Sequence, residues 1–379
     1  MGFNLKLSTG WAGIKRLGVL IAAAIFSKVL TRISCATPRA EDSQDPDQRA
    51  LMSRKLELTF ACGDYEIMRA LKEGIVRPEG IELTVLTDMG PSPRHWRFLR
   101  GREFDVAEVS GSGYVAARDQ DLPFRAIPVF PHRRFRHGFI FVNTSKGISK
   151  PTDLIGRKVG TKGYLFTAGL WMRGILEHDY GVPHKSIEWL SELDEDVDFS
   201  PPPGLNITQV SEDKSLEDML VDGEIDALLS PDLIRPLTAG DKRVGRLFPN
   251  YKEEEIAFYR KTGIFPIMHV VGIKQEIVDR HPWVAINLYK AFEKSKALAM
   301  ERMENPRIVP LAWYREGWEE QERILGKDPW EYGLEERNAR NFERLVTYSH
   351  EQGLSRRRLP LDELFLNVSE GRKRDEFRI

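Results

Sequence analysis

One histidine stands in a strand that is otherwise apolar. The strand IMHVVGI, at residues 267–273, carries His269 among large apolar and β-branched residues, a composition typical of buried strands. Pro266 fixes the backbone at the mouth of this strand, which indicates a rigid crossing between two parts of the fold. His269 is either a core histidine bonded to a carbonyl or a titrating residue in a cleft. We take the second as our hypothesis and predict that His269 is catalytic.

A second concentration of reactive side chains is the run HRRFRH at residues 132–137, just before the strand GFIFVN. It is either an ordinary solvated turn or a ligand site, because arginine binds carboxylates through two parallel hydrogen bonds. Arg134 and Arg136 are two residues apart, so in extended backbone they share one face. We expect these two to bind a carboxylate, with His137 as a second candidate for the proton donor.

Acidic candidates lie in or just after predicted strands. Asp64 and Tyr65 follow the strand KLELTFA, and ligands of open α/β sheets bind at the carboxyl ends of strands. Asp64 is equally suited to cap the next helix. Glu108, in the strand DVAEVS, is either a buried acid with a raised pKa or a residue facing solvent at an edge. We expect Asp64 or Glu108 to orient the catalytic histidine, and Tyr65 to contact the substrate.

Hydroxyl groups at helix starts complete the predicted site. Free backbone N–H groups at a helix N-terminus favour an anion such as a carboxylate. The predicted substrate-binding residues of this kind are Ser110, Ser112, Thr161 and Tyr164, together with Ser230 beside the loop Pro231-Asp232. In the preceding helix, PSPRHWRFLRGREF, we expect Trp96 and Leu99 to face the core.

These candidates require an α/β fold of two lobes. One α/β pattern is interrupted by another, which places residues 52–143 and 266–379 in a discontinuous first lobe and residues 144–265 in the second. Two connections, near Asn143 and near Phe265, then join the lobes around a central cleft. The remaining C-terminal segments are predicted to be helical and to pack around the first lobe.

Composition excludes several classes of protein. A formal net charge of -1 gives no electrostatic basis for binding nucleic acid, and 41% hydrophobic with 30% charged residues is typical of a soluble globular chain. The sequence lacks C-x-x-C and H-E-x-x-H spacings, so we predict no metal site. Gly111, Gly113 and Ala116 match a dinucleotide fingerprint but lack its acidic partner downstream, and we predict no cofactor.

The first 51 residues have the features of a leader or an upstream extension without ordered structure. An apolar run at residues 17–26 has the length of a signal-peptide core, too short to span a bilayer, but Lys28 and Arg32 interrupt the segment before Ser34-Cys35-Ala36. Met52 opens directly onto the first strand and offers another start of translation. We therefore expect a cytoplasmic protein without stable membrane insertion; if residues 1–36 are a genuine signal peptide, it is periplasmic.

From Met52 onward the sequence resembles the 4,5-dihydroxyphthalate decarboxylase family, whose fold is that of type 2 periplasmic solute-binding proteins. The resemblance rests on MSRKLELTFACGDYE, FRHGFIFVN, PTDLIGRKVGT, GEIDALLSP and RLFPNY followed by TGIFPIMHVV. It implies a two-lobe fold with a central cleft and the loss of CO2 from a hydroxylated, phthalate-like acid.

In that reaction an arginine clamp holds the retained carboxylate while an acid near neutral pKa protonates the ring. The partner is then a small aromatic carboxylate. The alternative is a solute-binding protein for a small organic anion, which would partner with a transporter permease and would need export.

We predict that residues 1–51 are dispensable for folding, because none of them is needed to complete a periodic element. A chain starting at Met52 should therefore melt at the same temperature as the full chain in a thermal unfolding experiment. A marked fall in melting temperature on truncation would contradict this.

Overall fold

The computed structural model describes residues 55–369, so the predictions about residues 1–51 lie outside the described residues. The strands are β1 (Leu56–Ala61), β2 (Ile81–Leu86), β3 (Val106–Ser110), β4 (Phe124–Ile127), β5 (Ile140–Asn143), β6 (Lys158–Thr161), β7 (Glu188–Ser191), β8 (Ile207–Gln209), β9 (Ala227–Leu229), β10 (Val244–Arg246) and β11 (His269–Lys274).

The helices are α1 (Arg69–Lys72), α2 (Pro91–Leu99), α3 (Gly111–Asp119), α4 (Thr167–Tyr180), α5 (Leu216–Asp222), α6 (Arg235–Thr238), α7 (Tyr251–Thr262), α8 (Gln275–Arg280), α9 (Trp283–Met303), α10 (Tyr314–Leu325), α11 (Glu336–Glu351) and α12 (Leu361–Leu364). Short 3-10 turns occur at Glu66–Met68, His137–Phe139, Thr144–Lys146, Pro151–Leu154 and His184–Ser186.

The first sheet has five strands in the order β2-β1-β3-β11-β4. Its parallel strands β1, β2 and β3 come from the beginning of the described chain, whereas β11 returns late and runs antiparallel to β3 and β4. Both faces of β3 are buried, since all five of its residues are inaccessible. The late strand therefore lies between two strands of a sheet built mostly from early residues, as a discontinuous lobe requires.

The second sheet has six strands in the order β10-β5-β9-β6-β7-β8. Its strands β6 to β9 are parallel, and β5 runs antiparallel to β9 and β10. The prediction had placed residues up to 143 in the first lobe. That boundary is wrong for β5, whose hydrogen bonds lie entirely within the second sheet.

Two chain segments cross between the sheets side by side. One lies between β4 and β5 and the other between α7 and β11, and they form an antiparallel bridge between Arg133 and Ile267. Backbone bonds from Arg134 N to Pro266 O (3.1 Å) and from Met268 N to His132 O (2.9 Å) extend the contact. The first crossing therefore precedes Ile140 rather than lying at Asn143, and it contains the arginine cluster.

The C-terminal helices connect the two parts of the fold. Helix α9 packs on α1 beside the first sheet, as predicted, but α11 packs against both α3 and α4. Trp171, in α4, donates a hydrogen bond of 2.9 Å to the carbonyl of Ile267 in the second crossing. No helix within residues 55–369 has the length and apolarity that a bilayer crossing requires.

The contact between α4 and α11 generates a stability prediction. A Cβ atom added at Gly174 would lie inside the contact distance of the buried ring of Tyr348. Gly174→Ala should therefore lower the free energy of unfolding by about 1–3 kcal/mol, because overpacking forces the helices apart. Urea unfolding measures this. Gly317→Ala, in α10 with nothing within 4 Å, is the control, and an equal loss in both variants would contradict close packing at Gly174.

Candidate functional site

A cleft of about 480 Å³ is lined by residues of both lobes and of both crossings. This volume lies within the range of small-molecule sites. One wall contains Tyr65, His95, Ser110 and His269 from the first lobe. The opposite wall contains Lys162, Phe166, Thr167, Ala168 and Leu193, and the crossing residues His132, Arg134, Arg136 and Met268 lie between them with Pro231 and Asp232.

Glu108 is the buried charge behind this cleft. Its side chain is fully inaccessible, and Oε2 lies 2.8 Å from the guanidinium of Arg94. The backbone N–H of Gly63 donates to Oε2 (2.7 Å), and the Tyr65 hydroxyl donates to Oε1 (2.8 Å). His269 Nδ1 forms a short hydrogen bond with Oε1. The carboxylate therefore has three hydrogen-bond donors and the guanidinium of Arg94 as its counter-ion.

These contacts set the charge of Glu108. Burial by itself would raise the pKa of this carboxyl. The charge and hydrogen bond of His269 and the charge of Arg94 outweigh burial and hold the pKa of Glu108 well below its usual range. The expectation of a raised pKa was therefore wrong, although the burial was foreseen as one of two alternatives. Burial and the neighbouring Glu108 charge raise the pKa of Tyr65, so its hydroxyl stays a donor.

The register of the first sheet brings His269 to Glu108. In the antiparallel pair β3–β11, His269 lies opposite Ser110, and directly opposed residues point to the same face, as do residues two apart. Glu108, Ser110 and His269 therefore share one face. Because an ionised carboxylate only accepts hydrogen bonds, the Nδ1 atom carries the proton. Nε2, which has no hydrogen-bond partner among residues 55–369, is left for the cleft that His269 lines.

Two further histidines contact the ring of His269. The rings of His95 and His132 meet it nearly edge to face, with centroid distances of 4.9 Å and 4.8 Å. Burial lowers the pKa of both, to about 2 for His132, and the nearby charge of His269 acts in the same direction. Both are therefore neutral at pH 7. Within the described chain, no group of three or more His, Cys, Asp or Glu side chains is arranged to hold a metal ion.

The two predicted arginines both reach the cleft. Arg136 is buried, bonds to the carbonyl of Pro231 (2.7 Å) and contacts the sulfur of Met268. Burial lowers the pKa of Arg136 to about 9, so its guanidinium stays charged at pH 7. Arg134 is partly exposed, with its nearest carboxylate, Asp232, at 3.6 Å. The cleft thus combines a histidine held by a carboxylate with two cations, which suits proton transfer to a bound carboxylic acid.

No family model matches the chain. Over 320 residues the chain is 34% identical to a protein of Comamonas testosteroni named 4,5-dihydroxyphthalate decarboxylase, which covers 82% of this chain and 96% of that protein. A Pseudomonas putida protein of the same name is 30% identical over 218 residues, covering 55% of this chain and 84% of its own length. The chain belongs to the 4,5-dihydroxyphthalate decarboxylase family.

Solved structures show that the fold of this family member is that of the periplasmic binding proteins. A periplasmic sulfonate-binding protein of Methylobacillus flagellatus KT superposes with a TM-score of 0.51 at 12% identity, covering 85% of this chain and 96% of that one. A protein of Bordetella bronchiseptica RB50 gives a TM-score of 0.50 at 15% identity, covering 85% and 99%. The predicted fold class, an α/β fold of two lobes around a cleft, is confirmed.

Several predicted site residues of this decarboxylase family member lie away from the cleft. His137 is enclosed by Tyr180, Phe248 and Phe258, and burial lowers its pKa to about 4. Tyr164 is buried under Arg173 and beside Phe199. The hydroxyl groups of three other candidates form hydrogen bonds with backbone atoms. Thr161 donates to Gly163 O, Ser112 donates to Leu165 O, and Ser230 accepts from Asp232 N.

The acidic and hydroxyl candidates at the rim divide in the same way. Asp64 is exposed and pairs with Lys72 at 2.8 Å, so Glu108 is the acid that orients His269. Ser110, at the end of β3, lines the cleft and forms a 2.7 Å hydrogen bond with Thr167, at the start of α4 in the other lobe. Tyr65 lines the cleft as well as donating to Glu108.

Sequence reasoning missed the residues supplied by α2. It took Trp96 as the inward residue, but Trp96 is 40% exposed, under the guanidinium of Arg100. The buried side chains are instead Arg94, His95, Phe98 and Leu99. Arg94 and His95 each lie four residues before a buried apolar residue, Phe98 and Leu99, and therefore share its face of the helix. Choosing the inward face from Phe98 and Leu99, and not from Trp96, would have placed both inside. Of the other cleft residues, Thr167 carries the same pattern as the hydroxyl groups at helix starts, whereas no sequence pattern marks Lys162.

A wider groove adjoins the cleft. This aromatic groove of about 930 Å³ shares Tyr65, His132 and Arg134 with the cleft and is lined beyond them mainly by α10 and the segment before it. Its apolar residues include Leu311, Trp313, Tyr314, Trp318 and Trp330. Arg133 lines it with part of its side chain but is buried and bonded to Glu331 O and Asn338, so it is a structural arginine.

The buried ion pair predicts a large effect of Glu108→Gln. The variant leaves Arg94 buried without its counter-ion, which should lower the free energy of unfolding by about 3–5 kcal/mol at pH 7 in urea titrations. Glu82→Gln, at an exposed pair with Lys55, is the matched control, with a change within about 1 kcal/mol.

The pH dependence of the same variant has a defined sign. The folded-state pKa of Glu108 lies below its ordinary value of 4.5, so the stability it confers is present above that pH and is lost as the pH falls toward the folded-state pKa. The difference between parent and Glu108→Gln should therefore shrink below about pH 4.5. A difference that grows in acid would contradict an ionised Glu108.

Proposed function

We propose that this protein is a non-oxidative decarboxylase of a hydroxylated aromatic dicarboxylic acid of the 4,5-dihydroxyphthalate type. The observation that carries the proposal is His269, held by the buried Glu108 with its Nε2 left for a cleft that also presents two arginines. The names of the two Comamonas and Pseudomonas relatives support the same reaction.

Substrate binding rests on the arginines of the first crossing. Arg136 has donors beyond those bonded to Pro231 and Met268, and no carboxylate of the described chain pairs with it. A substrate carboxylate fits this position, since a buried guanidinium gains most from a planar anion that accepts two bonds. Arg134 is exposed enough to exchange its long contact with Asp232 for a second carboxylate. An ortho-dicarboxylate thus meets two cations in one cleft.

The chemical step is a proton transfer followed by loss of CO2. Protonated His269 gives the proton of Nε2 to the ring carbon that carries the departing carboxylate. The bond between this carbon and the carboxyl carbon then breaks, and its electron pair returns to the ring as CO2 leaves. The hydroxyl para to this carbon supplies electron density while the ring is positively charged. The balance is one proton consumed per CO2 released.

Glu108 acts through His269 and is a positioning residue. Its carboxylate accepts the hydrogen bond from His269 Nδ1 and holds the ring so that Nε2 faces the cleft. Because Arg94 and the Gly63 N–H neutralise the other oxygen, Glu108 stays ionised rather than taking the proton itself. His269 is reprotonated from solvent between turnovers.

His269→Asn tests the proton donor. The rate of decarboxylation should fall by roughly 10² to 10⁴, with little loss of substrate affinity, because general acid catalysis acts in the transition state. Rates from CO2 release, dissociation constants from calorimetry and melting temperatures are compared for parent and variant. A destabilised variant with normal turnover per folded molecule would show that His269 is only structural.

The two arginines are tested by Arg134→Lys and Arg136→Lys. Lysine keeps the charge but loses the paired hydrogen bonds. The variant that replaces the arginine bound to the carboxylate should therefore bind 4,5-dihydroxyphthalate about tenfold or more weakly. Arg157→Lys, in a pair with Asp226 outside the cleft lining, serves as the control. Unchanged affinity in both cleft variants would place the carboxylate site elsewhere.

The proposal as a whole is tested by incubating the full chain with a panel of hydroxylated aromatic acids and measuring released CO2. Turnover of one or more ortho-dicarboxylates is expected. Tight binding of these acids with no CO2 released would instead identify a solute-binding protein.

A further inference from the structure

We propose that His95 recognises a phenolic hydroxyl group of the aromatic substrate through its Nε2 atom. The inference rests on the proposed function and adds a residue that selects hydroxylated rings over the corresponding acids without hydroxyls.

His95 is a buried polar residue of the cleft lining, and one of its ring nitrogens has no hydrogen-bond partner in the described chain. It lines the cleft, only 5% of its surface is exposed, and its Nε2 has no hydrogen-bond partner among residues 55–369. Helix α2 fixes its position, with the adjacent Arg94 bonded to the backbone oxygens of Glu108 and Met89. A buried polar atom without a partner is unfavourable, so a ligand group that bonds to Nε2 gains affinity there.

Burial and the charges around His95 keep it neutral. Arg94, His269 and Glu108 act on it electrostatically, and Asp196 lies with Oδ2 3.9 Å from Nδ1, too far for a direct hydrogen bond. Burial, followed by the charges of His269 and Arg94, lowers the pKa of His95 well below its usual range. Burial also raises the pKa of Asp196 to about 7, so this carboxyl is only partly ionised at neutral pH.

A neutral imidazole suits a hydroxyl better than a carboxylate. It offers one donor and one acceptor, and a phenolic hydroxyl can pair with Nε2 in either tautomer because it both donates and accepts. A carboxylate only accepts, and it finds charged partners at Arg134 and Arg136 instead. Cations on the crossing and a neutral imidazole on α2 therefore match the two kinds of substituent on one ring.

Burial and a free Nε2 do not by themselves define such a site. His184 is also 5% exposed, its Nδ1 contacts Glu177, and its Nε2 is likewise without a partner in the described chain. His184 lines a separate hollow with Glu177 and His178, away from the cleft. The location of His95 next to His269 distinguishes the two, and His184 provides a matched control.

The test compares the binding of 4,5-dihydroxyphthalate and phthalate by calorimetry. The parent should prefer the dihydroxy acid by about tenfold or more. His95→Phe should lose most of this preference through weaker binding of the dihydroxy acid, with phthalate affinity unchanged. His184→Phe should keep the preference, and His95→Gln should retain part of it because its amide both donates and accepts. A full preference in a folded His95→Phe overturns the proposal.

A titration followed by NMR tests the same proposal without the substitution. If His95→Phe does not fold, judged by its melting temperature, the parent labelled with 15N-histidine is titrated with both acids, and a neutral-imidazole Nε2 resonance should shift with the dihydroxy acid alone. Equal shifts, or none, would overturn the proposal. Failure of the proposed function is separate, because the parent would then release no CO2 whether or not His95 sets the preference.

Discussion

The ionised carboxylate of Glu108, fully buried in the middle of the first sheet, is the constraint on which the site depends. An isolated charge in such a position would be strongly unfavourable, and it is tolerated because Arg94, Tyr65, the Gly63 N–H and His269 surround it. These partners come from three elements outside β3, so the charge ties together β3, α2, the loop after β1 and the start of β11. The same requirement that keeps the fold intact holds His269 at the cleft.

The crossings explain why the two arginines and His269 meet in one place. His132, Arg134 and Arg136 belong to one crossing, and Met268 and His269 end the other, with the Arg133–Ile267 bridge between them. Both crossings therefore contribute side chains to the cleft between the lobes. Helix α11, packed against helices from both lobes, and the Ser110–Thr167 bond add further contacts between the lobes.

Sequence patterns predicted the parts of the structure that depend on local periodicity. The strands β1 and β3 were confirmed nearly to the residue, since alternation and turn residues mark them. The position of His269 at a crossing followed from Pro266, and the two-residue spacing of Arg134 and Arg136 matches their common place in the cleft. The membership of β5 was wrong because the partner of a strand is set by the tertiary fold, not by its own sequence.

Other parts of the site depended on packing that no local pattern reveals. The serines and threonines at helix starts have the same composition whether they face a ligand or a backbone carbonyl, so Ser110 could not be told from Ser112. His137 looked as reactive as His269, but a cage of aromatic rings encloses it. Because Trp96 was predicted to face the core but is exposed, the wrong face of α2 was assigned to the core, and Arg94 and His95 were not predicted.

The most direct test of the central claim is one reaction of the full chain with 4,5-dihydroxyphthalate, labelled at the carboxyl carbons, in D2O. If an exchangeable acid delivers the proton to the ring carbon, the products are labelled CO2 and a monocarboxylate. This monocarboxylate carries one deuterium at the ring carbon that lost CO2. Labelled substrate recovered unchanged from a protein that demonstrably binds it would contradict the account.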